Sequence, residues 1–263
     1  MQHSLWKDYR DSLNNPSFWM YAMWLDLLSK YRRSRLGLIW VIVPPILYAF
    51  GIGAFYAQIG QQPPARVIAH LGIGYVVYRL VTVSLSECTS TFNSHAGFIQ
   101  DGRVRFTDYV LRVIAKALFY FFIAMPVIAV ALYISPDFNL FGLVTIWPAL
   151  LVVLVNVAWM GTVVAVLGAR LPDVNELIGS IMMVSFLFTP ILWRADQVPI
   201  NTLQGSIARL NPLFHLVEVV RAPLLSEPVG RLTLAYLGVM TVGGWLLASW
   251  VYRRYARFVP IWI

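Results

Sequence analysis

Twelve carboxylates, four histidines and one cysteine are the groups in this 263-residue chain on which acid–base, nucleophilic or metal chemistry could draw. Their spacing supports little of it. His3, His70, His95 and His215 fall in separate segments, so a zinc site is not expected. Cys88 is alone, which excludes an intramolecular disulfide and a cysteine zinc cluster. Asp8 and Asp11 have a spacing that could hold magnesium on a pyrophosphate, yet Lys7 and Arg10 interleave them ahead of any apolar stretch, as on a solvated helix face. Asp173 and Glu176 stand beside Arg170, and an Asp after Pro172 at a helix start reads as a cap, worth about 1 kcal/mol. A phosphate-cradling loop ends in Gly-Lys, but Lys7, Lys30 and Lys116 follow Trp6, Ser29 and Ala115. The chain has no nucleotide site of that kind.

The elements that carry these residues follow from composition. The chain is 59% apolar and 12% charged, with a mean hydropathy of +0.69. A soluble domain carries about 25% charged residues, so this chain cannot coat a globule of its size, and an integral membrane protein is the class that fits. Crossing ~30 Å of hydrocarbon takes about 20 apolar residues in helix. Residues 37–65, 117–136, 138–169, 177–193 and 232–252 contain no Asp, Glu, Lys or Arg, and 67–86 contains only Arg79. The expected fold is all-α, one transmembrane domain over 1–263, with six spans at about 37–60, 67–88, 113–135, 143–168, 176–193 and 232–252. Arg79 is the one charge inside these apolar stretches, and its cost in hydrocarbon predicts that it faces the bundle or a cavity.

Residues 1–36 lack the apolar core of a signal peptide. Their aromatic and aliphatic run, interrupted by Asp26, predicts an interfacial amphipathic helix leading into the first span. With six alternating spans, fourteen Lys/Arg fall on the side of the termini and five on the other. Both termini are therefore expected in the cytoplasm, and the net charge of +8 is read as facing anionic lipid, not nucleic acid. The cytoplasmic connection at about 93–110 suits a short helix that fits a groove on a soluble partner. The external segment at about 197–226 is too apolar for a solvated loop and too Pro-broken for a span, which predicts re-entrant helices.

Several local patterns occur together in order. They are the Tyr-Arg-Arg-Ser-Arg-Leu-Gly run at 31–37 with Pro44 and Pro45, and the Leu-Gly-Ala-Arg-Leu-Pro-Asp run at 167–173. Thr189-Pro190, Asn211-Pro212 and Arg221-Ala222-Pro223 follow. Over about 17–255 the chain resembles the permease subunit of the ABC exporters of bacterial cell-surface polysaccharides (O-antigen, capsule, teichoic acid). Arg170, Asp173, Asn211, Pro212 and Arg221 carry that likeness. The resemblance implies a homodimer in the bacterial inner membrane, working with two separate ATPase subunits that hold the ATP and magnesium, with no cofactor and no catalytic residue on this chain. It implies a coupling helix around Phe98, Ile99, Arg103, Arg105 and Phe106. The family often has Phe-Pro where Phe106-Thr107 stands here. The substrate it implies is a lipid-linked polysaccharide, whose anchor phosphates Arg32, Arg33 and Arg35 would bind by guanidinium geometry. Tyr75, Tyr78, Arg79 and Phe92 are the conduit candidates, with Phe119, Tyr120, Phe186 and Phe188 also available. Two alternatives stand beside this reading: a membrane-embedded transferase on a polyprenyl phosphate, and an ABC permease for a small lipid or drug.

Overall fold

The computed structural model describes residues 4–32, 34–101 and 105–263, and among them there are helices and turns but no strands. The helices are α1 (Leu5–Asn14), α2 (Ser17–Tyr31), α3 (Ile39–Ile46), α4 (Gly53–Ile59), α5 (Pro64–Ser90), α6 (Ala96–Gln100), α7 (Phe106–Tyr133), α8 (Gly142–Arg170), α9 (Val174–Phe188), α10 (Leu203–Leu210), α11 (Pro212–Leu224), α12 (Arg231–Tyr255) and α13 (Val259–Trp262). A π-helical turn, Leu47–Ile52, joins α3 to α4 into one run, Ile39–Ile59. That run, α5, α7, α8 and Arg231–Trp262 are long and apolar enough to cross a membrane.

The fifth expected span is shorter than its apolar stretch. α9 has 15 residues, about 22 Å at 1.5 Å per residue, against the ~30 Å of a hydrocarbon core. Pro190 ends it: the residue before a proline is driven out of the helical region, and Thr189 is extended, at φ −80° and ψ 129°. The third expected span errs the other way, because α7 begins at Phe106 and takes in much of the polar loop. Its first turns are covered by the N-terminal helices. Ser12 Oγ lies 2.7 Å from Thr107 Oγ1, and Arg112 Nε donates to Asp26 Oδ2 at 2.7 Å. Asp26, which broke the apolar run of α2 in the sequence, is thus the partner of an α7 arginine.

α5 is the axis of the bundle, packed against α4, α7, α8, α9 and α11. It is buried nearly all round, as a helix apolar on every side must be. Small residues bring the backbones close, as membrane helices without a hydrophobic drive between them require. A Cβ on Gly168 of α8 would overlap the Thr89 carbonyl of α5, and one on Gly244 of α12 would overlap the Trp159 ring.

The two ends of the bundle are closed differently. At the end holding the termini, α1 lies across α7, α8 and α12. Tyr9 Oη donates to the Ala158 carbonyl at 3.1 Å, Tyr252 Oη donates to Asp8 Oδ2 at 2.6 Å, and Trp6 stacks on Trp245. Asp8 is therefore engaged in the fold. At the opposite end, α10 and α11 form two short helices broken at Asn211-Pro212, and α11 is largely buried.

Candidate translocation face

The conduit candidates converge where α3, the π-turn, α5 and α9 meet. The Tyr48 and Tyr75 rings stack at 4.0 Å, and Phe186 of α9 packs edge-on to both Tyr48 and Tyr78. Tyr78 Oη donates to the Met182 carbonyl, tying α9 to α5. Arg79 lies one turn from Tyr75, and its Nη1 donates to the Val41 carbonyl at 3.3 Å. The reason lies in the sequence of α3. Pro45 has no N–H to offer the carbonyl four residues earlier, which is that of Val41, so Arg79 satisfies an acceptor the helix leaves open. The intramembrane charge is held by this bond at the seam between two helices.

Phe92 does not join this group. It is buried at the terminus end, against Phe106 and Tyr109. Tyr48 takes its place, and the signal for it was available: it lies within the charge-free stretch just past the paired prolines.

The outer surface of this region is open. No residue of α9 is buried, and only 22% of the apolar window of Ile39–Ile59 is buried inside the chain. Met183 and Leu187 on α9 and Leu47 and Phe55 on the first run are exposed. Asn175, Glu176 and Ser180 mix polar groups into the exposed α9 surface.

At the terminus end of the same region a groove of about 940 Å³ lies between α2, the turn before α3 and Phe119. Trp24, Leu28, Leu38 and Arg32 line it, so an exposed guanidinium stands beside an apolar trough. Arg35 is exposed on the turn. Arg33 lies outside the described residues. Lys30 Nζ lies 5.4 Å from the Tyr120 ring centroid.

The residues expected to meet an ATPase do not all share one surface. Phe98 is 62% exposed on α6, while Ile99 and Phe106 are buried. Arg105 Nη1 donates to the Asp11 carbonyl at 3.1 Å and lies 4.0 Å from Asp108 Oδ2, and Arg103 is outside the described residues. Of that set Phe98 is the exposed one on the helix, with Arg105 beside it at the entry to α7.

Most of the motif residues hold helix ends. Asn211 Oδ1 accepts from the Leu213 N–H at 2.9 Å, capping α11, with Pro212 in the first turn where its missing N–H costs nothing. Its Nδ2 donates to Thr189 Oγ1 at 2.8 Å, fastening the end of α9 to α11. Arg170 sits over the Trp262 ring at 5.6 Å. Asp173 does not cap α9 as expected. Its backbone is helical, at φ −63° and ψ −16°, not the extended form that aims a side chain at the first amides.

Arg221 is the largest fully buried side chain. Nη2 donates to Glu218 Oε2 at 2.6 Å and Nη1 to the Pro190 carbonyl at 2.6 Å. Nη1 also lies 3.1 Å from His70 Nε2, which is 3.3 Å from the Trp193 carbonyl. One guanidinium therefore ties α11 to α5 and to the chain leaving α9. The sequence reading missed Glu218 and His70 here. Glu218 is three residues before Arg221 in an apolar run, a spacing that pairs on a helix, whereas nothing along the chain links His70 to a residue 151 positions away.

Five helices long and apolar enough to cross a membrane, with a shorter apolar helix left open beside them, are the architecture of a multi-pass membrane protein. Residues 18–225 match the family model of ABC-2 type transporters, and the chain belongs to that family of membrane permeases. No curated protein matches the sequence.

Proposed function

We propose that this chain is the permease of an ATP-driven exporter that moves a lipid-linked polysaccharide, of O-antigen or capsule type, across the bacterial inner membrane. It works as a homodimer with two separate ATPase subunits. The observation that carries this reading is α9, which is apolar, has no fully buried residue and is too short to cross hydrocarbon alone. Backbone that breaks at membrane depth must be shielded by protein or line a watery cavity. Two copies with α9 and the Ile39–Ile59 run facing each other supply both conditions. ABC-2 permeases work with an ATPase subunit, in keeping with a chain that has no Gly-Lys loop.

In this reading both termini are cytoplasmic, and the groove beside Arg32 and Arg35 receives the anchor phosphates while its apolar wall accepts the lipid. Tyr48, Tyr75, Tyr78 and Phe186 form an aromatic patch at the conduit wall, where sugar C–H faces can slide over rings. Phe98 on α6 meets the ATPase, and α10 and α11 stand as re-entrant helices at the external mouth.

The test is purification of the tagged chain from its native membranes. A stoichiometric ATPase and ATP turnover are expected, and a chain that purifies alone without ATPase activity refutes the assignment. Dimer geometry has its own readout, because Cys88 is buried and the chain has no other cysteine. Val184→Cys on α9 should crosslink between copies on oxidation, whereas Val239→Cys on the exposed side of α12 should not. Arg32→Gln combined with Arg35→Gln should abolish export while membrane insertion is retained.

A further inference from the structure

A second pocket, of about 160 Å³, opens at the end of the bundle opposite the termini. It lies between the end of α4, the start of α5 and the chain that follows α9, and Tyr56, Gln62, His70, Trp193 and Gln197 line it together with Arg66 and Arg194. Its volume is about five times the ~30 Å³ that one water occupies in the liquid. That suits one small ring and is too little for a lipid chain.

The two arginines do not make this an anion site, because each is already neutralised. Arg66 Nε is 3.0 Å from Asp137 Oδ2. Arg194 Nη2 is 2.5 Å from Glu227 Oε1 and 3.3 Å from Asp196 Oδ2. The remaining polar groups are uncharged: two side-chain amides, a phenol and an imidazole.

His70 lines the pocket but offers it no free hydrogen-bonding atom. It is 4% exposed, its Nε2 lies 3.1 Å from Arg221 Nη1 and 3.3 Å from the Trp193 carbonyl, and its Nδ1 is enclosed by the fold. The groups left to a ligand are the amides of Gln62 and Gln197, the Tyr56 phenol and the two aromatic faces.

Two aromatic side chains and two amides are the groups that hold a polyhydroxylated ring. The apolar C–H face of such a ring lies on Trp193 or Tyr56 while its hydroxyls reach Gln62 and Gln197. We infer that this pocket binds one neutral sugar ring. The site stands on the pocket's own chemistry; its use as a holding point for a glycan leaving the conduit rests on the function proposed above.

The experiment is saturation-transfer NMR on the full chain in nanodiscs. The probes are D-glucose, D-galactose, D-mannose and L-rhamnose, with D-glucuronate as the charged comparator. Transfer to at least one neutral sugar is expected, with binding weakened about fivefold by Gln62→Ala and by Gln197→Ala, the scale of one hydrogen bond. Among the described residues neither side-chain amide makes a hydrogen bond that holds the fold, and Trp193→Leu should remove the signal. Absence of transfer to all four sugars overturns the inference, as does transfer that both amide variants leave unchanged. Glucuronate binding more tightly than glucose does so too, by revealing an anion site. If sugars do not bind while the chain with its ATPase exports a glycan, this site alone fails. If sugars bind in the pocket but no glycan is exported, the transport reading fails and the site stands.

Discussion

α5 and α9 are both apolar helices in one small bundle, and they end in opposite situations. Some 72% of the apolar window of α5 is buried by the rest of the chain, while no residue of α9 is buried. Hydropathy does not separate the two, since it reports only that neither belongs in water. The difference lies in what covers them. α5 is surrounded by its own chain through close approaches at Gly161 and Gly168, whereas α9 is held along one side by Tyr78 and Asn211 and presents the other outward. Fold stability should therefore respond to changes around α5 and be indifferent to the outer face of α9, with transport showing the reverse.

The sharpest test is the tie between the two regions. Arg221→Met leaves the 16%-exposed Glu218 carboxylate without its partner, and breaking a buried pair costs about 3–5 kcal/mol, with this partly exposed case toward the lower end. The thermal transition in nanodiscs should collapse, and Arg221→Met with Glu218→Leu should recover much of it. A double variant as unstable as the single one would mean that Pro190 and His70, not the ion pair, carry the tie.

Next come two glycines. Gly168→Ala drives a Cβ into the Thr89 backbone and should cost about 1–3 kcal/mol by overpacking. Gly179→Ala on α9 meets nothing within 4 Å and should leave thermal stability unchanged. Equal losses would erase the distinction between a packed and an open helix.

A smaller effect belongs to the seam. Arg79→Leu leaves the Val41 carbonyl without its donor, at a cost of about 1–3 kcal/mol for an unsatisfied buried acceptor. Pro45→Ala returns an N–H to that carbonyl and should rescue the variant. Failure of the rescue would show that Arg79 matters for another contact.

The smallest effect is a dependence on pH at the terminus end. Burial holds the His95 imidazole below its ordinary value, aided by Arg112 and Lys116 and opposed by its bond to the Thr91 carbonyl. The neutral ring is thus favoured in the fold. Its contribution is complete above the unfolded value of about 6.5 and is lost as pH falls from there toward the lower folded value. Thermal stability should decline modestly below about pH 6.5, and His95→Gln should flatten that decline.

Much of the helical layout was legible along the chain, because apolar length and proline punctuation act locally. The break at Asn211-Pro212 was visible as a Pro-broken apolar segment, since proline fits the first turn of a helix at no cost, while the Asn211 cap itself was not read. The early start of α7 was not, because Phe106, Thr107 and Asp108 are made helical by the neighbours that bury them. Part of the aromatic patch was legible too: Tyr75, Tyr78 and Arg79 share a helix and were read together. Phe92, read with them, packs at the terminus end, because the face on which an aromatic residue lies is decided by packing, and apolar character is the same on every face of a helix that is apolar all round.

The sequence by itself determined the class of this protein. With so little charge, the chain must surround itself with hydrocarbon, and it carries no Gly-Lys loop of the kind that cradles nucleotide phosphates. The tertiary structure alone decided which apolar helix is buried and which is left open. It also decided which arginine answers the carbonyl orphaned by Pro45, and which histidine meets Arg221. The physical reason is that apolar burial is non-directional and is written into composition. A hydrogen bond is directional, and its partner is chosen only when distant segments meet in space.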